Sequence, residues 1–251
     1  MEKKRPPENA PAATPIWKLT QLDLFTSRSV SPAGAQEPGA LPGANYMEQA
    51  YCEIKEKIQT CFYMPGSSLN EKQLNQEFPY GRTPIREALL FLRRDRLIEV
   101  FPRRGMRIAP ITAKDISDVF AFRRLLERTV LAENPAQFPK DMLVRFGQEL
   151  QRVSEDPQAV FRLDREFHLC LFTQPHNELL QESYGSLLEK SFRAFVYLAR
   201  LGVSAAGLVQ ERDETLIQAI LVEDGAAVKR IIDEYGNRLL IELLRGLPEE
   251  A

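Results

Sequence analysis

Cysteine is scarce: the 251 residues hold three, Cys52, Cys61 and Cys170, an odd number with no Cys-x-x-Cys pair. That usage excludes a disulfide framework and a structural zinc site alike and leaves free thiols as the expectation. No apolar run approaches the roughly 20 residues that a membrane-spanning helix needs. No apolar core follows Lys3, Lys4 and Arg5 either, so neither insertion nor export is indicated, no membrane is expected as a partner, and the cytoplasm is the expected compartment. The chain also lacks a Gly-x-Ser-x-Gly nucleophile motif and a glycine-rich phosphate loop, which removes the commonest sequence signs of an enzyme.

What is present is charge, unevenly spread. The whole chain is −2, yet the stretch from Arg82 to Arg107 holds eight arginines against Glu87, Asp95 and Glu99, a local +5. Cationic density of this kind suggests a polyanion partner. The residues around it suggest the scaffold. Tyr51, Ile54, Ile58 and Phe62 recur at helical spacing between Asn45 and Phe62, until Met64-Pro65-Gly66 breaks the pattern. Asn70 can cap a second helix, Glu71 to Glu77, which stops at the Phe78-Pro79-Tyr80-Gly81 turn. Thr83 is the expected N-cap of a third helix with Pro84 at its first position, and Ile85, Ala88, Leu89 and Leu92 give it one apolar face. Leu97 to Val100 and Met106 to Ala109 read as short strands joined through a Gly-containing loop.

The fold class expected is mainly α: an N-terminal winged helix-turn-helix with a two-stranded β-wing, followed by an all-α helical bundle. Residues 1–43 are rich in proline and alanine and read as a disordered tail, in which Ile16 to Phe25 and the lone Trp17 form an apolar patch, unattached or docked. Residues 44–110 form the winged domain and 111–251 the helical one. Within the latter, helices are predicted near 114–133, 140–153, 157–173, 177–201, 207–222 and 224–246.

Arg82 and Arg86 lie one turn apart at the leading end of the third helix, on the side away from Ile85 and Leu89. An arginine fork can bind guanine O6 and N7 in the major groove, and Thr83 with the free N–H groups of a helix start suits a phosphate. Arg104 at the hairpin tip, beside a Gly105 that permits close approach, offers a second contact, and Lys72 on the second helix can hold the backbone. Each arginine alone is equally an ordinary solvated charge; the combination points to double-stranded DNA.

Pro65-Gly66, Leu69-x-Glu71-x-x-Leu74, the run from Arg82 through Leu89, Leu92 and the wing Pro102-x-Arg104-Gly105 closely resemble the DNA-binding domain of GntR-family bacterial transcription regulators. The resemblance implies DNA contacts at Lys72, Arg82, Thr83, Arg86, Arg104 and Gly105, and homodimers bound to a short inverted repeat. Gly81 stands where the family often has serine or threonine, which removes one phosphate contact.

The helical half carries charge on its apolar faces. Asp164 and His168 fall within the arc of Val160, Leu163, Phe167, Cys170 and Leu171, with Phe161 and Phe172 at its edge. Arg123 and Glu127 lie among Ile116, Val119, Phe120, Val130 and Leu131. Arg212 and Asp213 lie among Val209, Leu216, Ile217 and Ile220, and Tyr235 among Val228, Ile231, Ile232 and Leu239. Buried polar groups need partners, so these mark either one shared polar cavity or metal site, or a set of core ion pairs.

Arg123, Leu126 and Glu127 match an Arg-x-x-Leu-Glu motif, and Asp164-Arg-Glu-Phe167-His168 resembles the Asp-x-x-Phe-His of the FCD ligand-binding domain found in the FadR subgroup. That resemblance implies a divalent metal such as zinc or nickel, held by one aspartate and three histidines, that helps to bind a small carboxylate effector. Asp164 and His168 take the first two ligand positions; Asp213 and Tyr235 stand where the remaining histidines are expected. The implied metal ligands are therefore Asp164, His168 and Asp213, tyrosine being a poor ligand for zinc. The implied effector set is Arg123, Asp164, His168, Arg212, Asp213 and Tyr235, with a small organic acid anchored by Arg123 and Arg212.

The expected function is a DNA-binding transcription regulator, more often a repressor than an activator, and not an enzyme. Two alternatives stay open: a helical-bundle metal-dependent enzyme using Asp164, His168 and Asp213, disfavoured by the lack of Glu-x-x-His pairs, and a DNA-binding protein without an effector.

Overall fold

The computed structural model describes residues 44–248, with side chains from Tyr46 onward. The proline-rich tail and its Ile16 to Phe25 patch lie outside the described residues. The described chain opens with α1 (Ala44–Gln59), β1 (Ser68–Leu69), α2 (Glu71–Glu77), α3 (Arg82–Arg94), β2 (Ile98–Phe101) and β3 (Gly105–Ile108). Helices follow: α4 (Ala113–Glu133), a 3-10 turn at Pro135–Gln137, α5 (Lys140–Val153), α6 (Pro157–Thr173), α7 (Glu178–Arg200), α8 (Ala206–Leu221) and α9 (Gly225–Gly246). No described helix is long and apolar enough to cross a membrane.

The winged half closes on one core. Ile54 and Ile58 of α1, Leu74 of α2, Ile85, Ala88, Leu89 and Leu92 of α3, and Ile98 and Ile108 of the strands are buried together. The expected face of α3 is thus the observed one. Its start is not: the helix begins at Arg82 with Gly81 as N-cap, and Thr83 lies inside the first turn. Gly81 has φ of 85°, a conformation that glycine adopts without steric cost, so the backbone turns into the helix one residue before a side-chain cap is available. Phe62 was expected on the apolar stripe of α1, but the helix ends at Gln59 and Cys61 takes φ of 51°. That turn throws Phe62 outward, where its ring packs under Lys57 Nζ at 4.1 Å.

The wing also differs from the two strands expected. Ser68–Leu69 pairs antiparallel with β3, giving a three-stranded sheet in the order β1-β3-β2. Two residues are too few to show alternation in a sequence; the strand is set by its neighbours, through Gly66 N–H donating to Ile108 O at 3.0 Å and Ile108 N–H to Ser67 O at 2.8 Å.

The helical half follows the expected elements within a residue or two. Each of α4, α6, α7 and α9 starts on a polar cap: Thr112 in a reciprocal capping box with Asp115, then Asp156, Asn177 and Asp224. Gly225, at the start of α9, sits against the end of α4 so closely that a Cβ there would lie 2.3 Å from Ala132 O. Backbone cannot yield as a side-chain tip can. Gly225→Ala should therefore lower stability by about 1–3 kcal/mol, as overpacking does; thermal melting checks this, and an unchanged midpoint would contradict the contact.

Candidate functional site

On the winged half, Lys72, Arg82, Thr83, Arg86, Arg104 and Gly105 are all solvent-exposed. Arg86 Nε donates to Glu71 Oε1 at 2.7 Å, which ties α3 to α2. Arg104 stands at the hairpin tip, where Arg103 (φ 64°) and Gly105 (φ 94°) take the left-handed conformation that turns β2 into β3. Arg107 and Glu99, cross-strand neighbours, pair at 2.6 Å on the sheet face. Of the arginines that carry the local charge, Arg82 and Arg86 lie at the start of α3, Arg93 and Arg94 in its last turn, Arg96 just beyond it, and Arg103, Arg104 and Arg107 on the wing, all of them exposed.

On the helical half, burial converges. Arg123 and Glu127 of α4, Asp164 and His168 of α6, and Arg212 and Asp213 of α8 are all nearly inaccessible, and so is Tyr184 of α7. Asp164, His168 and Asp213 each present one ligand-type atom, all within 4.8 Å of one another. These groups meet at one place, and as folded they are joined in buried ion pairs, Arg123 with Glu127 and Arg212 with Asp164 and Asp213. At its centre stands Arg212. Its Nη2 donates to Asp164 Oδ1 and to Asp213 Oδ1 at 2.7 Å and lies 3.1 Å from His168 Nε2, while its Nε donates to Asp213 Oδ1 at 2.9 Å.

Arg123 Nε donates to Glu127 Oε1 at 2.8 Å, and its Nη2 lies 3.7 Å from Asp164 Oδ1. The Tyr184 hydroxyl donates to the same Glu127 oxygen and lies 3.2 Å from His168 Nδ1. His168 Nε2 also lies 3.4 Å from Asp213 Oδ1 and 3.5 Å from Asp164 Oδ1, so the imidazole sits among the same oxygens that Arg212 holds. Among the described residues, three buried atoms of this chamber have no hydrogen-bond partner: Arg123 Nη1, Arg123 Nη2 and Asp213 Oδ2.

Burial alone would raise the Asp164 and Glu127 carboxyls; the guanidinium charges override it. Arg212, then Arg123, holds Asp164 down to about 2, and Arg123 holds Glu127 down to about 2. The same geometry tests the metal that the resemblance implies. Oxygen, imidazole and oxygen are suitable donors in kind. As folded, however, all three point at Arg212 Nη2. A divalent ion about 3 Å from a guanidinium is repelled by on the order of 10 kcal/mol even at an effective dielectric of about 20. The donor set does not fit a metal ion while Arg212 is in place.

The model of bacterial regulatory proteins of the gntR family matches residues 46–108, and that of the FCD domain matches 118–238. The chain belongs to the GntR family. It joins the family's helix-turn-helix domain to an FCD domain, the domain pair of a transcription regulator. It is 30% identical over 142 residues to the uncharacterized HTH-type transcriptional regulator YdhC of Bacillus subtilis, an alignment over 54% of this chain and 63% of that protein. The chain thus spans less than two thirds of that relative. It is 24% identical to the HTH-type transcriptional repressor RspR of Escherichia coli K12, over 75% of this chain and 84% of that protein. Among solved structures, a Rhodococcus sp. RHA1 chain described as a GntR regulator shares the fold with a TM-score of 0.71 at 19% identity, covering 82% of this chain and 100% of its own. Escherichia coli McbR/YncC does so at 0.66 and 22%, covering 80% of this chain and 97% of its own.

Tyr235 is buried in α9, with the Arg238 guanidinium 4.9 Å from its ring centre, and among the described residues its hydroxyl bonds none of the chamber groups. Tyr184 was missed: it sits on an apolar face of α7 with Phe172 stacked at 3.4 Å, and nothing in its own spacing marks it apart from core. Because the Asp164 and Glu127 carboxyls are depressed, the stability they supply is present above their ordinary values of 3.8 and 4.5 and is lost as pH falls toward about 2. Melting midpoints should therefore fall between about pH 4.5 and pH 2, and Asp164→Asn should melt lower at neutral pH with a shallower acid slope. A parallel slope in the variant would contradict the pairing.

Proposed function

We propose that this regulator binds a short inverted repeat in double-stranded DNA as a homodimer in the cytoplasm, and that a small organic acid in the helical half changes its grip, most simply as a repressor released by its effector. Arg82 and Arg86 enter the major groove from the start of α3, Thr83 and Lys72 hold phosphates, and Arg104 with Gly105 follows the wing to the adjacent backbone or minor groove. Exposed Phe122 and Leu125 on α4 are apolar surface of the kind that a second copy covers.

The observation that carries the effector reading is the pair of Arg123 nitrogens buried without an acceptor. A carboxylate would satisfy both, and a hydroxyl or ammonium on the same molecule would serve the lone Asp213 Oδ2. A zinc or nickel ion at Asp164, His168 and Asp213 is not needed for this reading, since Arg123 alone supplies the anion's partner.

Helix α7 supports the coupling. Tyr184 meets the chamber, and nine residues on, about 14 Å along the axis, Arg193 Nη2 donates to Ala109 O at 2.6 Å. The same helix carries Glu189, which pairs with Lys55 Nζ at 2.9 Å, and Arg200, whose Nε donates to Thr60 O at 3.2 Å. A shift of Tyr184 on effector binding is therefore carried to the winged half.

Fluorescence anisotropy with labelled DNA from upstream of the chain's own gene tests the DNA reading. Arg82→Ala and Arg86→Ala should each weaken specific binding by about 10- to 100-fold, and unchanged affinity would sink it. A thermal-shift screen of small hydroxy, keto and dicarboxylic acids should find a stabilising member whose effect Arg123→Gln abolishes. No shift with any acid would count against the effector class and leave the DNA result standing.

A further inference from the structure

We propose that Arg212 is the resident cation of the chamber: its guanidinium does, as part of the chain, what a bound divalent ion would otherwise do, and the protein works without a metal. Asp164 Oδ1, His168 Nε2 and Asp213 Oδ1 are the three atoms that could ligate an ion, and all three lie within hydrogen-bond distance of one nitrogen, Arg212 Nη2, which donates to both carboxylates. Arg212 is as buried as the groups it joins, 4% exposed against 1% for Asp164 and 0% for His168 and Asp213, so no solvent competes for its place.

Crowding supports the same assignment. Arg212 and Arg123 already pair with the carboxylates of Asp164, Asp213 and Glu127, so a divalent ion added beside Arg212 would press two cations onto one set of acceptors. Unlike an ion, a guanidinium fixed to α8 cannot be stripped by a chelator or exchanged for another metal. Its loss takes a mutation.

The inference does not rest on the effector reading, and its test uses no effector. The full-length protein, purified without added metal and dialysed against EDTA, should contain far less than one equivalent of zinc, nickel, manganese or iron by elemental analysis. Its melting midpoint should not move on adding EDTA, zinc or nickel. Arg212→Ala should melt about 10 °C lower in EDTA, as removal of one partner from a buried charge cluster does. Adding zinc or nickel should recover much of that loss, because the three donors then face a space that an ion can fill.

Stoichiometric metal in the wild type, or saturable stabilisation of the wild type by zinc that Asp164→Asn abolishes, would overturn the proposal. So would an Arg212→Ala protein that melts like the wild type. If Arg212→Ala fails to fold even with zinc, the wild-type metal content and its response to zinc decide alone.

Discussion

Two guanidiniums and three carboxylates cannot leave water one at a time. An ion taken into a protein interior costs several kcal/mol even after relaxation, and only partners at hydrogen-bond distance offset that. Arg123 and Glu127 on α4, Asp164 and His168 on α6, Tyr184 on α7, and Arg212 and Asp213 on α8 meet at one place, where each charge finds its partners in the absence of water. An apolar helix face accepts a neighbour that slides by part of a turn; a carboxylate shared between two cations does not. The net of charges ties together four helices that the chain visits at separate times.

The winged half obeys the opposite rule. Its buried side chains are apolar apart from Gln59, and its arginines are left in solvent. Charge there costs little to keep, and it remains available to another molecule. The two halves meet along α7, where Arg193 reaches the carbonyl of Ala109 and Cys61 Sγ donates to the carbonyl of Arg193 at 3.7 Å. One helix thus belongs to the chamber at its first turns and to the winged domain further along.

Much of this was legible in the chain because it depends on local pattern. The apolar spacing of Ile85, Ala88, Leu89 and Leu92, the cap at Asn70 and the periodicity of α4 through α9 depend on neighbours a turn away, and these elements appear where expected. The charged positions on apolar faces also gave away Asp164, His168, Arg123 and Asp213, since a buried charge is improbable without a purpose. What the chain concealed were relations between distant residues. Ser68–Leu69 is a strand only because β3 lies beside it, and the start of α3 was misplaced because a glycine at positive φ can do what a threonine cap was expected to do. Tyr184 looked like core, and Arg212 looked like a ligand anchor rather than the centre of the cluster. Which buried group faces which depends on how α6 and α8 cross, and no spacing within either helix encodes that.

The bond between Arg86 and Glu71 has a further consequence. Both side chains are substantially exposed, with Arg86 67% accessible, so the pair adds little to stability. What it does is restrict a long, many-jointed side chain to a few rotamers, stretched across the gap between α2 and α3. Ordering a free arginine on contact surrenders side-chain entropy worth about 1.5–2 kcal/mol; here part of that ordering was settled when the helices packed.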